Sequence, residues 1–180
     1  MDDRSRVPIR FGEFVALSAA MMSTQAIAID AMLPAFPAIV GALKVGNPNH
    51  GQWIVTTYMA GLGTGQLVWG LLSDRFGRRP IVLGGMCLYV VAALVCGMTR
   101  SFEALLAWRF VHGLAAASAT VVRSIVRDLY SGRPMARVLS LTFVVFLMVP
   151  VVAPSLGQAI LWMASWRYIF FACAMFASIV

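Results

Sequence analysis

Residues 70–80 read GLLSDRFGRRP and lie between two long apolar runs. Four of them are charged, Asp74, Arg75, Arg78 and Arg79, and two are glycines, Gly70 and Gly77. A short, glycine-hinged cationic loop between apolar spans has the form of a cytoplasmic clamp joining two transmembrane helices. Orientation alone would be served by scattered arginines. It would not need glycine at 70 and 77, or an acid among the bases. Asp74 is placed near a helix N-terminus, where a negative charge gains about 0.3–1 kcal/mol. Arg78 is placed to pair with Asp128, which follows the fourth span on the same side, as an ionic latch that changes with conformational state.

The wider composition agrees with a membrane setting. Of the 180 residues, 61% are apolar and 12% charged, and the mean hydropathy is +0.85. A soluble domain carries about twice that charge. Between Glu13 and Lys44 the only charged residue is Asp30. Apolar runs of roughly 18 residues or more read as membrane spans. Six are expected, near residues 13–36, 52–72, 80–98, 103–122, 138–161 and 167–180.

The net charge of +7 is distributed along the chain in a membrane pattern. Arg4, Arg6, Arg10, Arg75, Arg78, Arg79, Arg123, Arg127, Arg133 and Arg137 fall on one side of the six spans, and Lys44, Arg100 and Arg167 on the other. That asymmetry places the N-terminus in the cytoplasm. A nucleic-acid partner is excluded, because no single basic face with reading elements is present. The basic start and Ala26-Ile27-Ala28 imitate a secretory leader, but Asp2, Asp3 and Glu13 dilute the basic region and the apolar stretch continues past it. An uncleaved first span is the expectation. Cys87, Cys96 and Cys173 lie within apolar spans and read as small packing residues. No metal or cofactor is expected: His50 and His112 lack ligand spacing, and no protease or hydrolase motif appears.

Within the spans a few residues stand out. Pro34 and Pro37 close the first span and free backbone carbonyls there. Gly61 and Gly65 form a G-x-x-x-G pair for close helix contact, and Trp53, Trp162 and Trp166 fit interfacial anchors. Asp30 and Arg109 are intramembrane charges, each costing about 2.5–3.5 kcal/mol at mid-bilayer, so each should face a cavity or a partner. Asp30 escapes the cost by binding a proton, whereas an arginine stays charged. The two divide into a titrating group and a fixed cation, and His112 shares the helix face of Arg109. Each also has a structural reading: Asp30 as a bond to freed backbone, Arg109 as a snorkelling side chain, His112 as a packed histidine.

At this level of detail the chain resembles the major facilitator superfamily. The 70–80 segment matches the family's G-x-L-[AS]-D-R-x-G-R-[RK]-x motif throughout. Residues 105–117, LLAWRFVHGLAAA, are similar to the fourth-helix motif of proton-coupled members, with Arg109 and Gly113 in place and His112 where glutamine is usual. Residues 148–158, MVPVVAPSLGQ, resemble the fifth-helix antiporter motif, keeping Pro154 and Gly157, while Ala153 and Gln158 replace two glycines. Asp30 with LPAFP, and residues 123–128, RSIVRD, are similar to drug:proton antiporters of the bicyclomycin/chloramphenicol-resistance type.

The resemblance implies an all-α membrane protein, the N-terminal six-helix half of a twelve-helix fold. The sixth span is cut short, because 13 residues from Tyr168 to Val180 reach ~20 Å of a ~30 Å core. It also implies an exporter of small amphipathic compounds, exchanging them for protons in a bacterial inner membrane. Asp30, Arg109 and His112 would lie at the cavity, and a second six-helix half would complete the pathway. An importer or facilitator of the same fold, and a non-transporting half that assembles with another membrane protein, are the alternatives.

Overall fold

The computed structural model describes residues 10–180, and Arg4 and Arg6 lie outside the described residues. The described chain is helical: α1 (Phe11–Asp30), α2 (Phe36–Ala42), α3 (Trp53–Phe76), α4 (Arg78–Met98), α5 (Phe102–Ala116), α6 (Val121–Leu129), α7 (Gly132–Met163) and α8 (Arg167–Ile179). Short 3-10 turns at Leu33–Ala35, Pro48–Gln52 and Ala117–Thr120 link several of them. Four helical stretches are long and apolar enough to cross a membrane: Phe11–Ala42, Arg78–Met98, Phe102–Leu129 and Gly132–Met163. Helix α3 has the length, but its threonines, Gln66 and four glycines dilute its apolar character.

Proline chemistry sets the first break. The expected span over 13–36 lies within the stretch Phe11–Ala42, which breaks after Asp30 because Pro34 has no N–H to offer the carbonyl of that residue. The helix gives way at Ala31, and the Met32 N–H turns to the carbonyl of Ile29, three residues back rather than four. Pro34 and Pro37 then each occupy the first turn of the next helical piece, where a missing N–H costs nothing. Asp30 is thus the last residue of α1, not deep within it.

The cationic segment also differs from the expected loop. Helix α3 continues through Phe76 and α4 begins at Arg78, so Gly70, Asp74 and Arg75 are helical and the turn is Gly77 alone. Gly77 has φ +88°, a conformation that side chains with a Cβ resist. Gly70 needs no such allowance, since a Cβ there would meet nothing within 4 Å. Helix α7 starts six residues before the expected span and runs for 32 residues. At ~1.5 Å per residue that is ~48 Å, longer than a bilayer core.

The bundle packs backbone to backbone where glycines permit it. A Cβ on Gly61 would strike the Phe110 carbonyl, one on Gly65 the Leu114 carbonyl, and one on Gly113 the Tyr58 carbonyl. These three glycines therefore bring α3 and α5 together. Gly157 does the same for α7 against Ala31 at the end of α1. Helix α8 is stitched to the end of α4 by Arg167, whose Nη2 donates to the Thr99 carbonyl at 2.7 Å. Two expectations about surface placement are corrected here. Trp166 is 3% exposed, packed edge-on against Phe170, rather than an interfacial anchor. Cys87 is exposed, whereas Cys96 and Cys173 are buried.

The glycine contacts yield a direct test. Gly61→Ala should lower the thermal unfolding midpoint of the purified protein, since overpacking costs about 1–3 kcal/mol. Gly63→Ala, which meets nothing within 4 Å, should leave the midpoint unchanged or raise it, because alanine is the better helix former.

Candidate functional site

The deepest charge in the bundle is Arg109, on α5. It has no exposed surface, and its bonds explain how it is tolerated there. Its Nε donates to the Ile54 carbonyl on α3 at 3.1 Å, and its Nη1 to the Ala28 carbonyl on α1 at 3.2 Å. The Ala28 carbonyl is available because the proline-driven break takes away its usual helical donor, the Met32 N–H. One arginine thus ties three helices, and the guanidinium also lies over the Tyr58 ring, 4.3 Å from the centroid. Its Nη2 has no hydrogen-bond partner among the described residues.

His112, one turn further along α5, completes this core. Its Nδ1 lies 3.4 Å from the Arg109 Nη1. A guanidinium N–H can only donate, so Nδ1 is the acceptor and the imidazole is neutral, with its proton on Nε2. The ring packs against Tyr89 at 4.3 Å and Tyr58 at 5.4 Å between centroids. Both tyrosines in turn reach α1: Tyr58 Oη donates to the Gln25 carbonyl at 3.2 Å and Tyr89 Oη to the Thr24 carbonyl at 3.0 Å. Gln25 Nε2 donates to the Ala116 carbonyl at 3.1 Å.

Arg109 and His112, expected at the cavity, are both fully buried inside this bundle. Asp30 is not brought to Arg109. Its carboxylate is half-buried and makes no hydrogen bond or ion pair within the described residues, although Arg109 bonds the backbone two residues away. The sequence reading missed Tyr58, Tyr89 and Gln25. The available signal was a phenol within an apolar span, midway along it in the case of Tyr89, since a buried tyrosine hydroxyl must find a partner.

The charged residues of the α3–α4 turn form a second cluster. Arg78 Nη1 donates to Asp74 at 2.6 Å and to Ser73 Oγ at 2.7 Å, and its Nε donates to Asp128 at 3.1 Å. Ser73 Oγ is anchored on the Gly70 carbonyl at 2.9 Å. Asp74 touches the side chain of the first residue of α4, and no side chain caps that helix N-terminus. Asp74 and Asp128 are 69% and 56% exposed in their side chains, so solvent screens both pairs and each adds little stability. Arg75 lies over the Phe76 ring, and Arg79 borders a cleft of about 490 Å3 with Arg78 and Asp128. In α7, Pro154 removes one helical donor, while Gly157 seats α7 on α1. Among the described residues no group of acids, histidines and cysteines is arranged to hold a metal ion.

Long apolar helices, glycine-mediated packing and a backbone-bonded buried arginine define an integral membrane protein of helical-bundle type. Residues 14–180 match the Major Facilitator Superfamily, and the chain belongs to that family, which comprises transporters rather than enzymes. It is 39% identical over 144 residues to a chloramphenicol resistance protein of Pseudomonas aeruginosa, covering 79% of this chain and 34% of that protein. It is 35% identical over 148 residues to a bicyclomycin resistance protein homolog of Haemophilus influenzae, covering 82% and 37%. With the multidrug resistance protein MdtL of Escherichia coli it shares 33% identity over 165 residues, covering 90% and 41%. The chain thus spans well under half the length of these relatives. Its fold matches the human organic anion transporter MFSD10 with a TM-score of 0.72 at 20% identity, over 94% of this chain and 46% of that one.

The arginine core predicts its own sensitivity. Arg109→Lys keeps the charge but cannot reach both the Ile54 and Ala28 carbonyls with one ammonium. It should lower stability by at least about 2 kcal/mol, given what bonds from charged donors contribute. Tyr89→Phe should cost about 1 kcal/mol by removing the hydroxyl's bond to the Thr24 carbonyl. Thermal unfolding in detergent measures both.

Proposed function

We propose that this chain supplies the N-terminal six-helix half of a proton-coupled drug exporter of bacterial inner membranes, with its N-terminus in the cytoplasm. The carrying observation is the contrast between its two intramembrane charges. Arg109 spends its donors on backbone, whereas Asp30 ends α1 with no partner among the described residues. An acid left in that position can take a proton or meet a substrate, which is what exchange requires. The kinship with chloramphenicol, bicyclomycin and multidrug resistance proteins supports small amphipathic drugs as cargo.

The roles then divide as follows. Asp30 carries the exchanged proton. Arg109 and His112 act through position: they hold the end of α1 by the Ala28 carbonyl and so set where Asp30 stands. The Arg78–Asp74–Asp128 cluster gates the cytoplasmic side, and its exposure makes it cheap to open. The helix break after Asp30, seated on Gly157, supplies the element that moves. The lipid bilayer surrounds the bundle, and a second six-helix half closes the pathway.

Two measurements on the full-length protein test this reading. In everted vesicles, Asp30→Asn should abolish proton-gradient-driven drug efflux while the protein still folds and inserts. Efflux equal to wild type would remove Asp30 as the coupling acid. Arg78→Ala should slow efflux by about an order of magnitude while changing stability by under about 1 kcal/mol, because the pair acts on the moving state rather than on folding. Unaltered efflux and conformational exchange would end the latch role.

A further inference from the structure

The stretch Phe102–Leu129 breaks without a proline. Helix α5 ends at Ala116 and α6 begins at Val121, with the 3-10 turn Ala117–Thr120 between them, yet no proline occurs from Phe102 to Arg133. The Val121 N–H turns to the Ser118 carbonyl, three residues back. Its usual helical partner, the Ala117 carbonyl, accepts instead from Thr120 Oγ1 at 2.7 Å. A hydroxyl bonded back into the ladder in this way bends a helix, and a 3-10 stretch within a helix often marks a hinge.

Side chains from two other helices grip the α5 flank of this turn. Trp69 Nε1 on α3 donates to the Leu114 carbonyl at 2.6 Å, and Gln25 Nε2 on α1 donates to the Ala116 carbonyl at 3.1 Å. Glycines let the neighbours close on it: a Cβ on Gly65 of α3 would strike Ala117, and one on Gly85 of α4 would strike Ser118. Past the turn the packing changes partners. Ala115, Ala116 and Val121 share a buried cluster with Tyr58 of α3 and Tyr89 of α4, whereas Val126 shares one with Phe14, Val15 and Val138, near the starts of α1 and α7. Among the described residues only Ile125 packs against both clusters. The polar tie from α6 back to α4 is the exposed bond of Asp128 to Arg78.

We infer that Ala117–Thr120 is a hinge about which α6 swings relative to α5, and that Trp69 and Gln25 are the positioning residues that set its angle. Swinging α6 carries Asp128 away from Arg78 while α3 and α5 stay closed on one another at Gly61 and Gly113. Thr120 keeps the turn from reverting to a regular helix, because its hydroxyl occupies the carbonyl that the Val121 N–H would otherwise take. The inference rests on the gating reading only for the use the motion serves. The hinge itself needs neither proton exchange at Asp30 nor any particular cargo.

Peptide-resolved hydrogen exchange of the whole encoded protein in detergent tests the hinge. It needs no transport assay, so the hinge and the export reading can fail separately. Trp69→Phe removes one donor with little change of shape, and should speed exchange over residues 118–129 about fivefold, the scale of one hydrogen bond. Exchange over 104–113 should stay as in the wild type. Gln25→Met should act in the same direction. Thr120→Ala should act in the opposite one: with the hydroxyl gone, the Ala117 carbonyl returns to the Val121 N–H, and exchange over 118–124 should slow about threefold. Arg78→Ala should speed exchange over 121–129 about twofold. A rise shared equally by 104–113 in Trp69→Phe would reduce the bond to general stability and overturn the proposal. So would faster exchange over 118–124 in Thr120→Ala, since a merely structural hydroxyl would loosen the helix when lost.

Discussion

A fixed positive charge inside an apolar bundle has to be answered, and here the answer is backbone. Arg109 reaches the carbonyls of Ile54 and Ala28 rather than a carboxylate. One of those carbonyls exists as a free acceptor only because α1 breaks, and α1 breaks because Pro34 cannot bond Asp30. The proline, the helix end and the buried cation are therefore one device. Removing any part would leave either an unpaired guanidinium or an unpaired carbonyl in a medium where water cannot replace the partner. The close approach of α3 and α5 at Gly61, Gly65 and Gly113 completes it, since only that contact brings Ile54 within reach of a side chain on α5.

The same interaction separates the two charges by task. A guanidinium held by carbonyls from two neighbouring helices is rigid and stays ionised. A carboxyl at a helix end, with no partner among the described residues, is free to change its state. Under the proposed exchange mechanism a stable frame and a group that switches are both needed, and α1 would carry the junction between them. At the other end of the bundle the Arg78 cluster has the opposite character, with exposed partners and little net stabilisation. Buried bonds hold the interior, and exposed, weak ones sit at the α3–α4 turn.

Much of this was legible in the residues. Long uncharged runs announced the helices, and the 70–80 motif announced the turn and its pairing of Arg78 with Asp128. Helix ends were harder. Gly70, Asp74 and Arg75 look like loop by composition, yet α3 runs on through them because a single positive-φ glycine suffices for the reversal. The burial of Arg109 and His112 was not legible, because a charge in a span signals only that it needs an answer, not whether a cavity or a carbonyl gives it. Tyr58 and Tyr89 escaped notice because their partners are main-chain atoms 33 and 65 residues away. Trp166 was misplaced for a related reason: an indole near a span end can anchor at the interface or turn inward, and Phe170 decides which.

Helix α1 receives its three key bonds at the carbonyls of Thr24, Gln25 and Ala28. Carbonyls are shared by every residue type, so no substitution at those positions can delete an acceptor. The donors on α3, α4 and α5 have no such protection, because Tyr58, Tyr89 and Arg109 each carry the only suitable atom. Mutational tolerance is thus unequal across each contact. At Thr24 and Ala28 the acceptor survives any change of side chain, while the Gln25 amide, which donates to the Ala116 carbonyl, and the Asp30 carboxyl remain chemically specified. A helix held by its main chain can change what its side chains present at Thr24 and Ala28 without loosening its place in the bundle.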